Sequence, residues 1–206
     1  MMPADEAGPW DLTKASLLVD NLNTTTRELA LSFALQRAGV LDVASDTLAA
    51  IPETQSEAKR AFDAYAATGR VTNAALTIVV VRPSRTGWVS GWGNQDQPLG
   101  LAGHWPIITV NTRIAKSRDA HWIAHELGHV FGFYDTTYYE STIRENAPYT
   151  RCGLNVATRT FPRASAPLGA KQNFMSYDTE QRRSFLTDGY AANRQVVECW
   201  LRSAGP

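Results

Sequence analysis

His125-Glu126-Leu127-Gly128-His129-Val130-Phe131-Gly132-Phe133-Tyr134-Asp135 reads H-E-x-x-H-x-x-G-x-x-D. Residues four apart on an α-helix share a face, so His125 and His129 can aim two imidazoles at one ion. Zinc in catalytic sites takes three protein ligands, often histidine nitrogens, and keeps a fourth position for water. Glu126 points to a neighbouring sector of the helix, within reach of a water rather than of the ion, and is the candidate general base. Gly132 tolerates the left-handed backbone that ends helices. A chain that turns there can bring Asp135 back as a third, carboxylate ligand. A bare H-E-x-x-H also arises by chance on solvated helix faces. The glycine and aspartate at fixed offsets, and the apolar stripe Trp122, Ile123, Leu127 and Val130, favour the metal reading. Ser117-Arg118-Asp119 offers N-cap candidates for this helix.

These residues resemble the long motif of the metzincin clan of zinc endopeptidases, which ends in histidine or, in a minority, aspartate and is followed by a methionine turn. The terminal Asp135 resembles the snapalysin-like variant. Asn173-Phe174-Met175-Ser176-Tyr177 supplies the methionine turn, and its Asn-Phe-Met looks pappalysin-like. The resemblance covers residues 107–200. It implies an α+β, two-lobed zincin fold: an N-terminal mixed sheet with the active-site helix, and a mostly irregular C-terminal lobe ending in a helix. It implies one catalytic domain over 1–206, with lobes 1–135 and 136–206. Met175 would form an apolar floor beneath one catalytic Zn2+ held by His125, His129 and Asp135. Tyr177 would be the residue that stabilises the tetrahedral intermediate; the alternative is a half-buried tyrosine with a solvated hydroxyl. The chain departs from the common pattern in its aspartate ligand and in Thr136, which is not a subfamily-defining residue.

A chain of 206 residues suits one domain. Twenty basic and twenty acidic residues cancel, which argues against nucleic acid or a charged membrane surface as partner. No apolar run approaches the roughly 18 residues of a membrane span. A protein or peptide substrate and a monomeric state are expected. The acidic N-terminus lacks a signal-peptide pattern, and secretion is expected from the resemblance alone. In a secreted protease, Cys152 and Cys199 suggest a disulfide closing the C-terminal lobe; two buried thiols are the alternative.

Outside the motif, Ala15–Asp20 reads as a strand. Thr25 or Thr26 could cap a helix over Arg27–Ala38, and Ser56–Thr68 reads as a second helix. Leu76–Val81 and Ile107–Val110 read as strands. Gly87–Pro106, with Trp88, Trp92, Trp105 and several glycines, reads as a loop or twisted hairpin. Within it Leu99-Gly100-Leu101-Ala102 resembles the clan's substrate-pairing edge, with a surface loop as the alternative. Thr136–Ala170 reads as an irregular stretch and a candidate wall of a specificity pocket. Phe185 through Val197 reads as the closing helix. His121 stands one turn before His125, as a possible ligand or hydrogen-bonding neighbour. Three ligands on one straight helix face do not wrap an ion tetrahedrally, so a plain polar role near the helix start is expected. His104 reads as a surface histidine.

The function expected is hydrolysis of peptide bonds by a zinc-bound water that Glu126 activates. The alternatives are a metal-binding relative that acts as a binding module, and a zinc hydrolase restricted to one peptide or cell-wall substrate. An intact Glu126 speaks against the binding module, which needs no base.

Overall fold

The computed structural model describes residues 14–35, 77–81, 91–93, 107–111, 121–178 and 180–203. The first element is a helix, α1 (Lys14–Thr26), where a strand was expected over Ala15–Asp20. Its buried residues Ala15, Leu18 and Leu22 recur at helical spacing, and that longer period outweighs the short aliphatic run read as β. Thr24 and Thr26 close the helix by donating their hydroxyls to the carbonyls of Asp20 and Leu22, at 3.0 and 2.9 Å.

The helix expected over Arg27–Ala38 does not form over its described part. A single 3-10 turn, Arg27–Leu29, ends at Ala30 in the left-handed region, φ 57°, and 31–35 is non-helical. The Asn23 amide explains this. It accepts from the Phe33 N–H at 2.6 Å and donates to the Phe33 carbonyl at 2.9 Å, capturing backbone groups that a helix would have used.

The expected strands Leu76–Val81 and Ile107–Val110 correspond to β1 (Thr77–Val81) and β3 (Ile107–Asn111), which pair in parallel. Between them in sequence, β2 (Gly91–Gly93) pairs antiparallel with β3, with Trp92 opposite Thr109. The tryptophan-glycine segment therefore contributes a strand, and among the described residues the sheet order is β1-β3-β2. The expected helix at 56–68, the N-cap at 117–119, His104 and the candidate edge at 99–102 lie outside the described residues.

The motif helix α2 (His121–Val130) lies against β2, β3 and α1. It ends at Gly132, φ 89°, as its sequence requires. The Phe133 N–H bonds the Gly128 carbonyl and the Gly132 N–H the His129 carbonyl, both at 2.9 Å, which is a Schellman closure.

The stretch from Thr136 to Ala170, expected to be irregular, carries a second small sheet. Strands β4 (Thr137–Tyr138), β5 (Arg144–Glu145) and β6 (Arg159–Pro162) order as β4-β6-β5. They are short, and β5 is wholly exposed, so no apolar alternation announces them. A short helix α3 (Leu168–Gln172) follows. The closing helix, α4 (Asn193–Ser203), starts later than Phe185. The intervening residues turn through Gly189, φ 83°, and the Asn193 amide caps the Phe185 carbonyl at 2.9 Å.

One hydrophobic cluster joins these parts. Leu18 and Leu22 of α1, Ile123 and Leu127 of α2, Met175, and Val196 and Val197 of α4 all belong to it. The Trp200 indole donates to the Val130 carbonyl at 3.1 Å, fixing α4 to the end of α2. Glu28 accepts from the Ser184 hydroxyl and the Phe185 N–H, tying the N-terminal segment to the chain beyond Met175. The architecture is α+β.

Cys152 and Cys199 are bonded, with Cα atoms 5.8 Å apart, as the sequence suggested. The closed loop of 47 residues separation holds Met175 and Tyr177. Chain entropy assigns such a crosslink about 4 kcal/mol. Among the described residues no helix is long and apolar enough to cross a membrane.

Candidate metal centre

The geometry of α2 does what the four-residue spacing implies. The His125 and His129 rings stand 4.8 Å apart between centroids at 82°, both buried. The Schellman turn then brings Asp135 back. Its Oδ1 lies 3.3 Å from His125 Nε2 and 3.5 Å from His129 Nε2. One ligand atom from each of the three residues lies within 4.8 Å of the others, a group that could hold a metal ion.

Both imidazoles are oriented from behind by backbone carbonyls. His125 Nδ1 meets the Phe174 carbonyl and His129 Nδ1 the Phe133 carbonyl, each at 2.9 Å. A carbonyl only accepts, so each Nδ1 carries the hydrogen and each Nε2 turns a lone pair toward Asp135. Two lone pairs and a carboxylate oxygen then converge on one point. Asp135 Oδ1 is buried and has no hydrogen-bond partner among the described residues. Such an arrangement needs a proton or a cation between its atoms, and a set of two nitrogens and one oxygen suits zinc. The residues fit a metal.

The electrostatics agree. Burial, then the proximity of His129 and Arg182, hold His125 well below the ordinary histidine value. Burial lowers His129 to about 4, with its backbone hydrogen bond opposing. Both rings thus stay neutral, as ligation requires. Burial pushes the Asp135 carboxyl up to about 7, against the pull of Arg182 and Arg144.

Asp135 is held by its backbone and by the residues that follow it. Thr160 donates its hydroxyl to the Asp135 carbonyl at 2.5 Å. The Thr136 N–H bonds the Met175 carbonyl at 2.9 Å, and the Thr137 hydroxyl meets Ser176 Oγ at 2.8 Å and accepts from the Tyr177 N–H at 2.9 Å. The loop that carries Asp135 and the turn that carries Met175 are therefore stitched side by side.

The methionine turn is built on Asn173. Its side-chain oxygen accepts from the Met175 N–H, while its amide donates to Phe185 and Thr187, all three at 3.0 Å. Met175 is fully buried, and its sulfur lies so close to α2 that a Cβ on Gly128 would fall 2.1 Å from it. Tyr177 stands edge-on to His125, ring centroids 5.6 Å apart. Burial, and then the neighbouring Asp135 carboxylate, raise its phenol above the ordinary tyrosine value, so it is a proton donor at neutral pH. Glu126 is buried on α2 beside the two histidines.

His121 is not in the three-residue group. Its ring packs 5.0 Å from that of Phe174. A cavity of about 100 Å3 lies beside the Asp135 loop, lined by Thr136, Pro148, Tyr149, Val156, Met175 and Tyr190.

Comparison of the chain with models of known families, with curated proteins and with solved structures finds no match in any of the three. The case for a function rests on the chain's own residues.

Two contributors escaped the sequence. Thr137 looks like any strand threonine, and its bridge to Ser176 is invisible without the fold. Arg182, in Gln181-Arg182-Arg183, reads as a surface charge but is only 2% exposed. No local pattern distinguishes it from its neighbour.

Proposed function

We propose that the chain is a zinc-dependent endopeptidase of metzincin type, secreted and monomeric, in which lobes 1–135 and 136–206 flank a cleft for an extended protein or peptide substrate. The observation that carries this reading is the convergence of His125 Nε2, His129 Nε2 and Asp135 Oδ1 on one point, with the carboxylate of Glu126 on the same helix. The disulfide agrees with an oxidising compartment.

His125, His129 and Asp135 would hold the ion, which when bound supplies a Lewis acid for the peptide carbonyl and acidifies a water. Glu126 takes the proton from the attacking water and returns it to the leaving amine nitrogen. Tyr177, kept protonated by burial, donates its hydroxyl hydrogen to the oxyanion. The carbonyls of Phe174 and Phe133 hold the two imidazoles in the tautomer that ligates. Met175 supports the site by packing, and the cavity at Thr136, Tyr149 and Tyr190 offers room for one substrate side chain.

The test is hydrolysis of casein and of a mixed peptide library, with and without a chelator, by the wild type and by Glu126→Gln. The wild type should cleave and the chelator should abolish cleavage. The variant should keep stoichiometric zinc and lose activity by about 10²–10⁴-fold, the usual share of a general base. A wild type that binds zinc and cleaves neither substrate would overturn the reading in favour of a binding module or of a hydrolase restricted to one substrate.

A further inference from the structure

Arg182 is among the largest fully buried side chains of the described residues, and its charge is held between two backbone elements. Its Nε donates to the Ser176 carbonyl, within the methionine turn, at 2.5 Å. Its Nη1 reaches the His121 carbonyl, in the first turn of α2, at 3.4 Å. One guanidinium therefore spans the turn and the start of the helix that carries both histidines. A planar fork bonds two carbonyls from separate nitrogens in fixed geometry, whereas a lysine ammonium gathers its donors on one atom at the end of a flexible stem.

What this span controls is set by Phe174. The same turn presents the Phe174 carbonyl to His125 Nδ1 at 2.9 Å. The orientation of His125 thus depends on the distance between the turn and α2. Among the described residues the Asn173 side chain shapes the turn internally, bonding the turn itself, Phe185 and Thr187. Arg182 supplies the hydrogen bonds from the turn to the helix N-terminus, beside the packing of the Phe174 ring on His121.

We propose that Arg182 is a positioning residue for the metal centre, bracing the methionine turn against the first turn of α2 so that the Phe174 carbonyl fixes the His125 ring with Nε2 toward Asp135. This deepens the metal-site reading above and rests on it for its consequence, though not for its test.

The experiment has two readouts on wild type, Arg182→Gln and Arg182→Lys. The first is made on metal-free protein by NMR of the histidine nitrogens. Wild-type His125 should be the Nδ1–H tautomer with a slowly exchanging proton. Both variants should show mixed tautomers and faster exchange at His125, while His129, held by Phe133 at the helix end, stays unchanged. The second is zinc affinity by competition with a chromophoric chelator, where both variants should bind 10–100-fold more weakly, as expected when an outer-shell support is removed. Should Arg182→Gln prove unfolded, Arg182→Lys and rescue of Arg182→Ala by added guanidinium ion serve instead. Guanidinium, and not an equal concentration of sodium, should restore the His125 signal. The proposal is overturned if His125 keeps its tautomer and slow exchange in the variants, or if Arg182→Lys binds zinc as tightly as wild type, which would reduce Arg182 to a counter-charge. A wild type that binds no zinc would sink the metal-site reading, and the His125 signal would still decide the role of Arg182.

Discussion

The close approach of Met175 to Gly128 decides whether a side chain at position 128 stabilises or destabilises the fold. Gly128 sits inside α2, where Ala is favoured over Gly by about 1 kcal/mol. In isolation, Gly128→Ala should stabilise. Its new methyl, however, would lie 2.1 Å from the Met175 sulfur and 3.1 Å from both Met175 Cε and Phe185 Cε1. Met175 has no exposed surface, and Phe185 beside it is equally buried, so the thioether has nowhere open to retreat. Overpacking of this kind costs about 1–3 kcal/mol. A 2.1 Å approach calls for the upper part of that range, about 2–3 kcal/mol, so after the helix gain of about 1 kcal/mol the substitution should destabilise by about 1–2 kcal/mol. In a Met175→Ala background the clash is gone and a cavity remains. There the same Gly128→Ala should stabilise by about 1 kcal/mol or slightly more, since the methyl fills part of that cavity. Met175→Ala alone should cost about 2–5 kcal/mol. The expected coupling between the two sites is about 2–3 kcal/mol, well above the few tenths expected of independent positions. Equilibrium urea unfolding of the four proteins in chelator measures it without reference to metal. Equal effects of Gly128→Ala in both backgrounds, within about 0.5 kcal/mol, would refute the packing of the methionine turn on α2.

The remaining predictions concern pH, the third ligand and the crosslink. Between pH 6.5 and about 4 an unfolded chain protonates His129 while the folded one does not, so metal-free protein should lose stability as pH falls through that window, by on the order of 3 kcal/mol from this ring. Asp135 opposes this, because a carboxyl raised from 3.8 to about 7 contributes stability present below 3.8 and lost as pH rises through 7. His125 shifts in the same sense as His129, so two imidazoles outweigh one carboxyl, and a urea midpoint that stayed flat or rose between pH 6.5 and 4 would contradict the assignment. Asp135→Asn should weaken zinc binding by at least tenfold in chelator competition, since the neutral amide oxygen lacks the anionic charge; unchanged affinity would remove Asp135 from the ligand set. Reducing Cys152–Cys199 should lower stability by about 4 kcal/mol, read as a shifted urea midpoint, and a shift below about 1 kcal/mol would show that the loop is constrained without it.

The motif was legible because its chemistry is local. A helix period and a helix-ending glycine are properties of a dozen consecutive residues, and Asp135 follows from them. The strands at 77–81 and 107–111 were legible for the same reason, as β-branched runs bounded by turn residues. The errors came where long-range bonds decide. Asn23 stops a helix by bonding ten residues ahead, and β4, β5 and β6 form from polar segments whose stability lies in backbone pairing. A strand read over 15–20 became a helix because the window was too short to separate a period of two from one near four. Arg182 and Thr137 were invisible because burial of a charge or a hydroxyl is a property of the assembled fold.

Put together, these parts have a common geometric purpose. His129 takes its orientation from Phe133, one residue past the Gly132 turn that closes the helix. His125 takes its orientation from Phe174, and that carbonyl can reach it only if the methionine turn lies close against α2. Close approach needs the missing side chain at Gly128, because any Cβ there would meet the Met175 sulfur. It also needs the turn to keep its shape, which Asn173 supplies, and to stay in place, which Thr136, Thr137 and Arg182 supply from two sides. The glycine of His-Glu-Leu-Gly-His is therefore not a free position between two histidines. It sets the separation at which a carbonyl on one segment can select the tautomer of a histidine on another. A substitution at Gly128 should accordingly disturb His125 before it disturbs His129, although it is nearer to His129 in sequence.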